Sequence, residues 1–97
     1  MDLIEKARTV VGIETSQLNR LAERLDENFS KALGALEKTL RGGHKIVVIG
    51  VGKSEHIGNK FVATLNSTGA TTVSLNCQNA LHGDLGILSV GDLVIAL

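Results

Sequence analysis

The 97-residue sequence predicts an α/β protein in which N-terminal helices precede a three-layer α/β/α parallel sheet with strand order 2-1-3. Three observations support this class. Apolar residues keep helical spacing over residues 1–41, and short β-branched runs alternate with helical segments over 44–97. The first of these runs breaks into a glycine turn. Because the third run reaches the last residue, we expect a sheet that is incomplete at its C-terminal side.

The N-terminal segment predicts two helices, roughly 3–25 and 28–41. Asp26 and Asn28 offer capping side chains at the break, and Gly42-Gly43 ends the second helix. One continuous helical hairpin arm or a coiled-coil seam is the alternative. The apolar positions that recur at gaps of three or four are Leu18, Leu21, Leu25, Phe29, Leu33, Leu36 and Leu40.

After residue 44 the helical spacing of apolar residues gives way to short apolar runs, typical of buried strands, that alternate with helical segments. The β-branched content and glycine stops predict right-handed crossovers between parallel strands. The predicted elements are strand Lys45–Ile49, helix Ser54–Thr68, strand Thr71–Leu75, a short helix and loop over 78–88, and strand Asp92–Leu97.

Composition excludes several functional classes. Ten basic and ten acidic residues cancel, so we expect neither a nucleic-acid partner nor an anionic membrane surface. No stretch approaches the roughly 18 consecutive apolar residues of a membrane span. A single cysteine, Cys77, excludes an internal disulfide and indicates a reducing, cytoplasmic compartment.

The turn Gly50-Val-Gly52-Lys53-Ser54 joins a strand to a helix, where glycines allow a ligand to approach the backbone and helix N–H groups attract anions. It is not a Walker A loop, because Val47 stands where that motif needs glycine, and Glu55 likewise breaks the dinucleotide fingerprint. The positive end of the helix dipole disfavours a cation in the first turn of a helix. A lysine placed there despite this cost is a candidate ligand-binding group, so Lys53 is one. The alternatives are an ordinary turn with a surface lysine, and Ser54 as the helix N-cap.

A second polar cluster, His82-Gly-Asp84, follows the second predicted strand and should approach the same carboxyl edge of the sheet as Lys53. A histidine and a carboxylate two residues apart could position each other for acid–base work. Equally, Asp84 could cap a turn while His82 satisfies buried backbone groups. His56, His82 and Asp84 have no recognised metal-ligand spacing, so we predict no metal site.

Four segments together resemble the sugar isomerase (SIS) domain, with its flavodoxin-like topology, and more narrowly the arabinose-5-phosphate isomerases of lipopolysaccharide and capsule synthesis. The segments are Val48–Lys60, Ala63–Gly69, Ala80–Gly86 and Gly91–Ala96, which contain GVGKSEHIGNK, ATLNSTG and ALHGDLG. The N-terminal helices also fit that family's opening. On this resemblance residues 1–97 form a partial SIS domain, with 1–41 its helical segment and 44–97 its first three strands.

The resemblance implies a cofactor-free interconversion of ribulose 5-phosphate and arabinose 5-phosphate through an enediol. Lys53 matches the family's lysine and is assigned to the sugar oxygens or the oxyanion. His82 matches the loop histidine and is assigned to hydrogen bonding or proton transfer near the carbonyl. The expected substrate-binding residues are Gly50, Gly52, Ser54, His82 and Asp84.

The sequence also departs from the family pattern. The serine- and threonine-rich phosphate loop after the third strand is absent, as are the later catalytic glutamate and histidine, and three strands stand for the family's five. We therefore expect weak or no isomerase activity from the chain alone and a homo-oligomer packed through residues 1–41. The alternative functions are a non-catalytic phosphosugar-binding or regulatory SIS module and a degenerate fragment.

Overall fold

The N-terminal part of the chain forms two helices, α1 (Leu3–Arg24) and α2 (Glu27–Arg41), as expected from the spacing. The computed structural model describes residues 2–97, except for the side chain of Asp84. Asp2 caps α1 by accepting a hydrogen bond from the Ile4 amide at 2.7 Å. Asp26 accepts from the Asn28 amide at 2.9 Å and caps α2. The predicted break between the helices is therefore confirmed.

The remaining elements are β1 (Ile46–Gly50), α3 (Lys53–Ser67), β2 (Thr72–Asn76), α4 (Cys77–Leu81), a 3₁₀ helix (Asp84–Ile87) and β3 (Leu93–Ala96). The three strands form one parallel sheet with order β2-β1-β3, so the predicted α/β class and strand order are confirmed. The chain divides into two compact units, of which the first ends at Lys31 and the second comprises Ala32–Leu97.

The core of the second unit lies along the central strand, where Ile46, Val47 and Val48 are buried. Successive strand residues point to opposite faces of the sheet. Val47 packs in one cluster with Leu75 and Ala80. Val48 faces α3, where a Cβ on Gly58 would come within 3.1 Å of its Cγ1. Helices therefore cover both faces of β1, which explains why its sequence is a continuous apolar run.

Register brings the ends of the strands together at two edges. Gly50 at the end of β1 pairs with Asn76 at the end of β2, so the turn after each strand leaves the sheet at the same carboxyl edge. The amino edge is formed by the residues before each strand, including Lys45 and Asp92. None of the described helices is long and apolar enough to cross a membrane.

Candidate functional site

A cleft of about 390 Å³ lies at the carboxyl edge, where the turns after β1 and β2 face each other. In open parallel α/β sheets, ligands bind outside the carboxyl ends of the strands, so this cleft is the candidate site. Seven residues line it: Gly50, Val51, Gly52, Glu55, Asn76, Cys77 and Gln78.

The glycine turn that forms one wall needs its two glycines for different reasons. A Cβ on Gly50 would lie 2.9 Å from the carbonyl carbon of Ser54, so only glycine lets β1 pass beneath the first turn of α3. Gly52 has φ +61° and ψ −126°, a conformation that residues with a side chain rarely adopt. Both glycines line the cleft, and their role in substrate binding stays a prediction.

The interpretation of Ser54 as the N-cap of this helix is wrong. The N-cap is Gly52, which contributes no side-chain hydrogen bond, and Ser54 is the second residue of α3. The helix begins directly after the glycine turn, where the Glu55 amide donates to the Gly52 carbonyl at 3.1 Å, two residues earlier than a serine cap would require. Ser54 is half-buried and does not line the cleft in the part of the chain that the structure describes.

A pair of polar side chains, Glu55 and Asn76, crosses the cleft. Asn76 Nδ2 donates a hydrogen bond to Glu55 Oε1 at 2.8 Å, and both side chains are half-buried. Asn76 Oδ1 also accepts from the backbone amides of Gln78 at 2.8 Å and Asn79 at 3.2 Å, which caps α4. Glu55 carries the one carboxyl group among the described residues that line the cleft.

This pair was not predicted from the sequence, where Glu55 entered only as the residue that breaks the dinucleotide fingerprint. A signal for the pair was present in the sequence, because a polar residue ends or closely follows each of two adjacent strands. Parallel pairing brings those positions together, here through the register of Gly50 with Asn76.

Lys53 and His82 are near in sequence to the residues that line the cleft. Lys53 is the first residue of α3, and His82 is the C-cap of α4; both side chains are exposed. Of the residues that the structure describes, the cleft lining includes neither of them. The predicted role of the Asp84 side chain falls outside the described part of the chain. No group of three described His, Cys, Asp or Glu side chains is arranged to hold a metal ion.

A second cavity, of about 370 Å³, lies at the opposite, amino edge of the sheet. Its carboxylate, Asp92, is only 4% exposed and pairs with the Lys45 ammonium. Asp92 also accepts from the backbone amides of Lys45 at 3.1 Å and Ser89 at 2.8 Å. The hydrogen bond from Lys45, followed by that from Ser89, lowers the pKa of Asp92 from 3.8 to about 2. Since these bonds already engage both of its oxygens, Asp92 stabilises the start of β3 rather than forming a ligand site.

Comparison with known proteins gives the same assignment as the motifs. Residues 39–97 match the SIS domain family. The chain is 38% identical, over all 97 residues, to the arabinose 5-phosphate isomerase KdsD of Pseudomonas aeruginosa, and spans 29% of that protein.

Two solved structures have the same fold. One is a candidate phosphosugar isomerase involved in capsule formation from Bacteroides fragilis, with TM-score 0.90 and 31% identity over 98% of this chain and 49% of that one. The other is the c3406 protein of Escherichia coli CFT073 in complex with arabinose 5-phosphate, with TM-score 0.77 and 30% identity over 99% of this chain and 51% of that one.

The chain therefore spans less than a third of its curated relative and about half of each solved chain. The family match covers more than half of the present chain, and it includes both turns of the cleft. The resemblance that the four sequence segments predicted is confirmed, and the chain belongs to the SIS domain family.

Proposed function

We propose that this chain supplies the glycine-turn side of a sugar-phosphate isomerase site that interconverts D-ribulose 5-phosphate and D-arabinose 5-phosphate. The observation that carries the proposal is the 38% identity, over the whole chain, to a protein named arabinose 5-phosphate isomerase. The cleft at the carboxyl edge supports it, because it lies where open α/β sheets bind ligands. A further support is the arabinose 5-phosphate bound to a relative of the same fold.

Aldose–ketose isomerisation moves a proton between the two adjacent carbons that carry the carbonyl oxygen and the neighbouring hydroxyl oxygen. It needs a base for that proton and a positive group or donor for the oxyanion of the enediolate. In the proposal the Lys53 ammonium, at the start of α3, stabilises the developing oxyanion together with the N-terminal amides of the helix. His82 hydrogen bonds to the substrate or transfers a proton near the carbonyl. Gly50 and Gly52 let the sugar approach the backbone, and Ser54 and Asp84 contribute further contacts.

The test is a calorimetric titration of the 97-residue protein with arabinose 5-phosphate, followed by an assay for ribulose 5-phosphate. Lys53→Met removes the proposed oxyanion group, and Lys60→Met is the matched control, because Lys60 is an exposed lysine on the same helix. We expect saturable binding, and at least a tenfold loss of any turnover in Lys53→Met but not in Lys60→Met. An active Lys53→Met protein with full turnover would refute the role of Lys53. Binding without turnover in the unmodified protein would favour a phosphosugar-binding module instead.

A homo-oligomer is the second part of the proposal. The structure buries no residue of α1, and large apolar side chains on this helix are exposed, for example Leu3 at 80% and Leu18 at 66%. Ile4, Ala7, Val11, Leu18 and Leu21 follow helical spacing and so form a stripe along α1. Exposed apolar stripes of this kind pack against another protein surface, and we propose that a second copy of the chain covers this one.

Sedimentation equilibrium at micromolar concentration tests this association. We expect an oligomer that the double substitution Leu18→Glu and Leu21→Glu dissociates, whereas Asn19→Glu on the same helix leaves it intact. A monodisperse monomer of the unmodified chain would refute the proposal.

We further place the protein in the cytoplasm, because its one cysteine, Cys77, is a free thiol and reducing compartments keep thiols free.

A further inference from the structure

We propose that Glu55 and Asn76 are positioning residues, whose hydrogen bond across the cleft fixes α4 and thereby holds His82 in place relative to the glycine turn. The consequence for substrate binding rests on the proposed function, whereas the effect on α4 does not. We call this pair of side chains the Glu55–Asn76 clamp.

The geometry of Asn76 leaves its amide only one useful orientation. Oδ1 is occupied by the backbone N–H groups of Gln78 and Asn79, at 2.8 and 3.2 Å, so it must face α4. Nδ2 is then directed to Glu55 Oε1, at 2.8 Å. One side chain therefore ties the first turn of α4 to the first turn of α3.

Glu55 is the fixed end of the clamp. It lies in the first turn of α3, where the helix dipole favours a carboxylate, and its backbone N–H bonds the Gly52 carbonyl at 3.1 Å. The same backbone nitrogen lies 3.0 Å from where a Cβ on Gly50 would be, so the turn and β1 hold it closely. A hydrogen bond to a charged acceptor is stronger than one between neutral groups. The Glu55 carboxylate is therefore well suited to restrain the Asn76 side chain and, with it, α4.

The other end, α4, depends on the clamp because it is only five residues long. Helices of this length are not stable by themselves. Besides the cap at Asn76, its anchor in the described core is the buried Ala80. The His82 amide bonds the Asn79 carbonyl at 3.1 Å, so the backbone of His82 moves with the helix. A displacement at Asn76 is therefore passed along α4 to His82.

Three variants separate the clamp from the helix cap. Asn76→Asp keeps an equally good N-cap but sets two carboxylates against each other. Glu55→Gln keeps an oxygen acceptor for Asn76. The double variant Glu55→Gln/Asn76→Asp restores the bond with reversed polarity, since the introduced glutamine amide can donate to the introduced carboxylate. The matched control is Ser74→Ala, which removes a different hydrogen bond between side chains of β2 and α3, from Ser74 Oγ to Asn59 Oδ1 at 2.7 Å.

Amide hydrogen exchange of residues 78–82, measured by NMR on the full chain, reports the order of α4 without any ligand. We expect Asn76→Asp to raise exchange there about tenfold or more, as expected for losing a hydrogen bond to a charged group. Glu55→Gln and the double variant should remain within about threefold of the unmodified protein, and Ser74→Ala should leave α4 unchanged. Unaltered exchange in Asn76→Asp, or no rescue in the double variant, would overturn the clamp.

Affinity for arabinose 5-phosphate is the second readout, which a purely structural pair would not change. We expect a weaker affinity in Asn76→Asp, recovery in the double variant, and no change in Ser74→Ala. Faster exchange in α4 with unchanged affinity would overturn the positioning role. If the unmodified protein binds no arabinose 5-phosphate, the proposed function fails, and the exchange measurement still decides whether Glu55 and Asn76 fix α4.

Discussion

Replacing Gly50 with alanine tests directly how the glycine turn is built. The new Cβ would lie 2.9 Å from the Ser54 carbonyl carbon and 3.0 Å from both the Ser54 oxygen and the Glu55 nitrogen. The nearest contact falls about 0.5 Å short of the 3.4 Å at which ordinary van der Waals contact begins. All three neighbours are backbone atoms, so no side-chain rotation relieves the overlap and the start of α3 must move.

The magnitude follows from two opposing terms. Overpacking of this kind costs about 1–3 kcal/mol, while alanine lowers the entropy of the unfolded chain and contributes about 0.4–1 kcal/mol of stability. At the middle of these two ranges the difference is about 1.3 kcal/mol, and we expect Gly50→Ala to lower the free energy of unfolding by about this amount. Gly34→Ala is the matched control: it lies in α2 with nothing within 4 Å of its Cβ, so alanine should stabilise by about 0.5–1 kcal/mol.

Urea unfolding followed by circular dichroism is the appropriate assay, because the sequence has no tryptophan or tyrosine for fluorescence. All proteins are compared at one concentration, since self-association would add to the apparent stability. Equal m-values are required for the comparison. A Gly50→Ala protein as stable as the unmodified one, or a Gly34→Ala protein that loses as much, would refute the steric argument.

Two further substitutions test contacts outside the cleft. The depressed pKa of Asp92 means that its carboxylate stabilises the fold above pH 3.8, and this contribution is lost as the pH falls towards about 2. The stability difference between the unmodified protein and Asp92→Asn in urea unfolding should therefore shrink over that interval; a constant difference would contradict the pairing with Lys45. Asn66 accepts from the Thr72 amide at 2.9 Å and donates to the Thr72 carbonyl at 2.8 Å. Since Thr72 is buried, Asn66→Ala should cost about 1–3 kcal/mol, and a loss below about 0.5 kcal/mol would show that water replaces both bonds.

Local patterns predicted the secondary structure well. The helices expected at roughly 3–25 and 28–41 are found at Leu3–Arg24 and Glu27–Arg41, and each strand lies within one or two residues of its expected place. The reason is physical. Helical spacing of apolar residues indicates a helix that is buried on one face, whereas a continuous β-branched run indicates a strand that is buried on both faces. The strand order followed from the handedness of the crossovers.

The site was predicted less completely, because its contacts join residues distant in sequence. The clamp links side chains 21 positions apart, and neither residue alone has a distinctive pattern. Residue type offered Ser54 as a cap, but the Glu55 amide bonds the Gly52 carbonyl and the helix starts earlier, at Lys53. The roles of Lys53, His82 and the other predicted contact residues stay predictions.

The central claim is that the carboxyl-edge cleft of this chain binds a sugar phosphate. Titration of ¹⁵N-labelled protein with arabinose 5-phosphate, followed through amide chemical shifts, tests it most directly. The account predicts saturable shifts centred on residues 50–55 and 76–83, with inorganic phosphate alone failing to reproduce them. An absence of shifts, or shifts confined to the amino edge around Lys45 and Asp92, would contradict it.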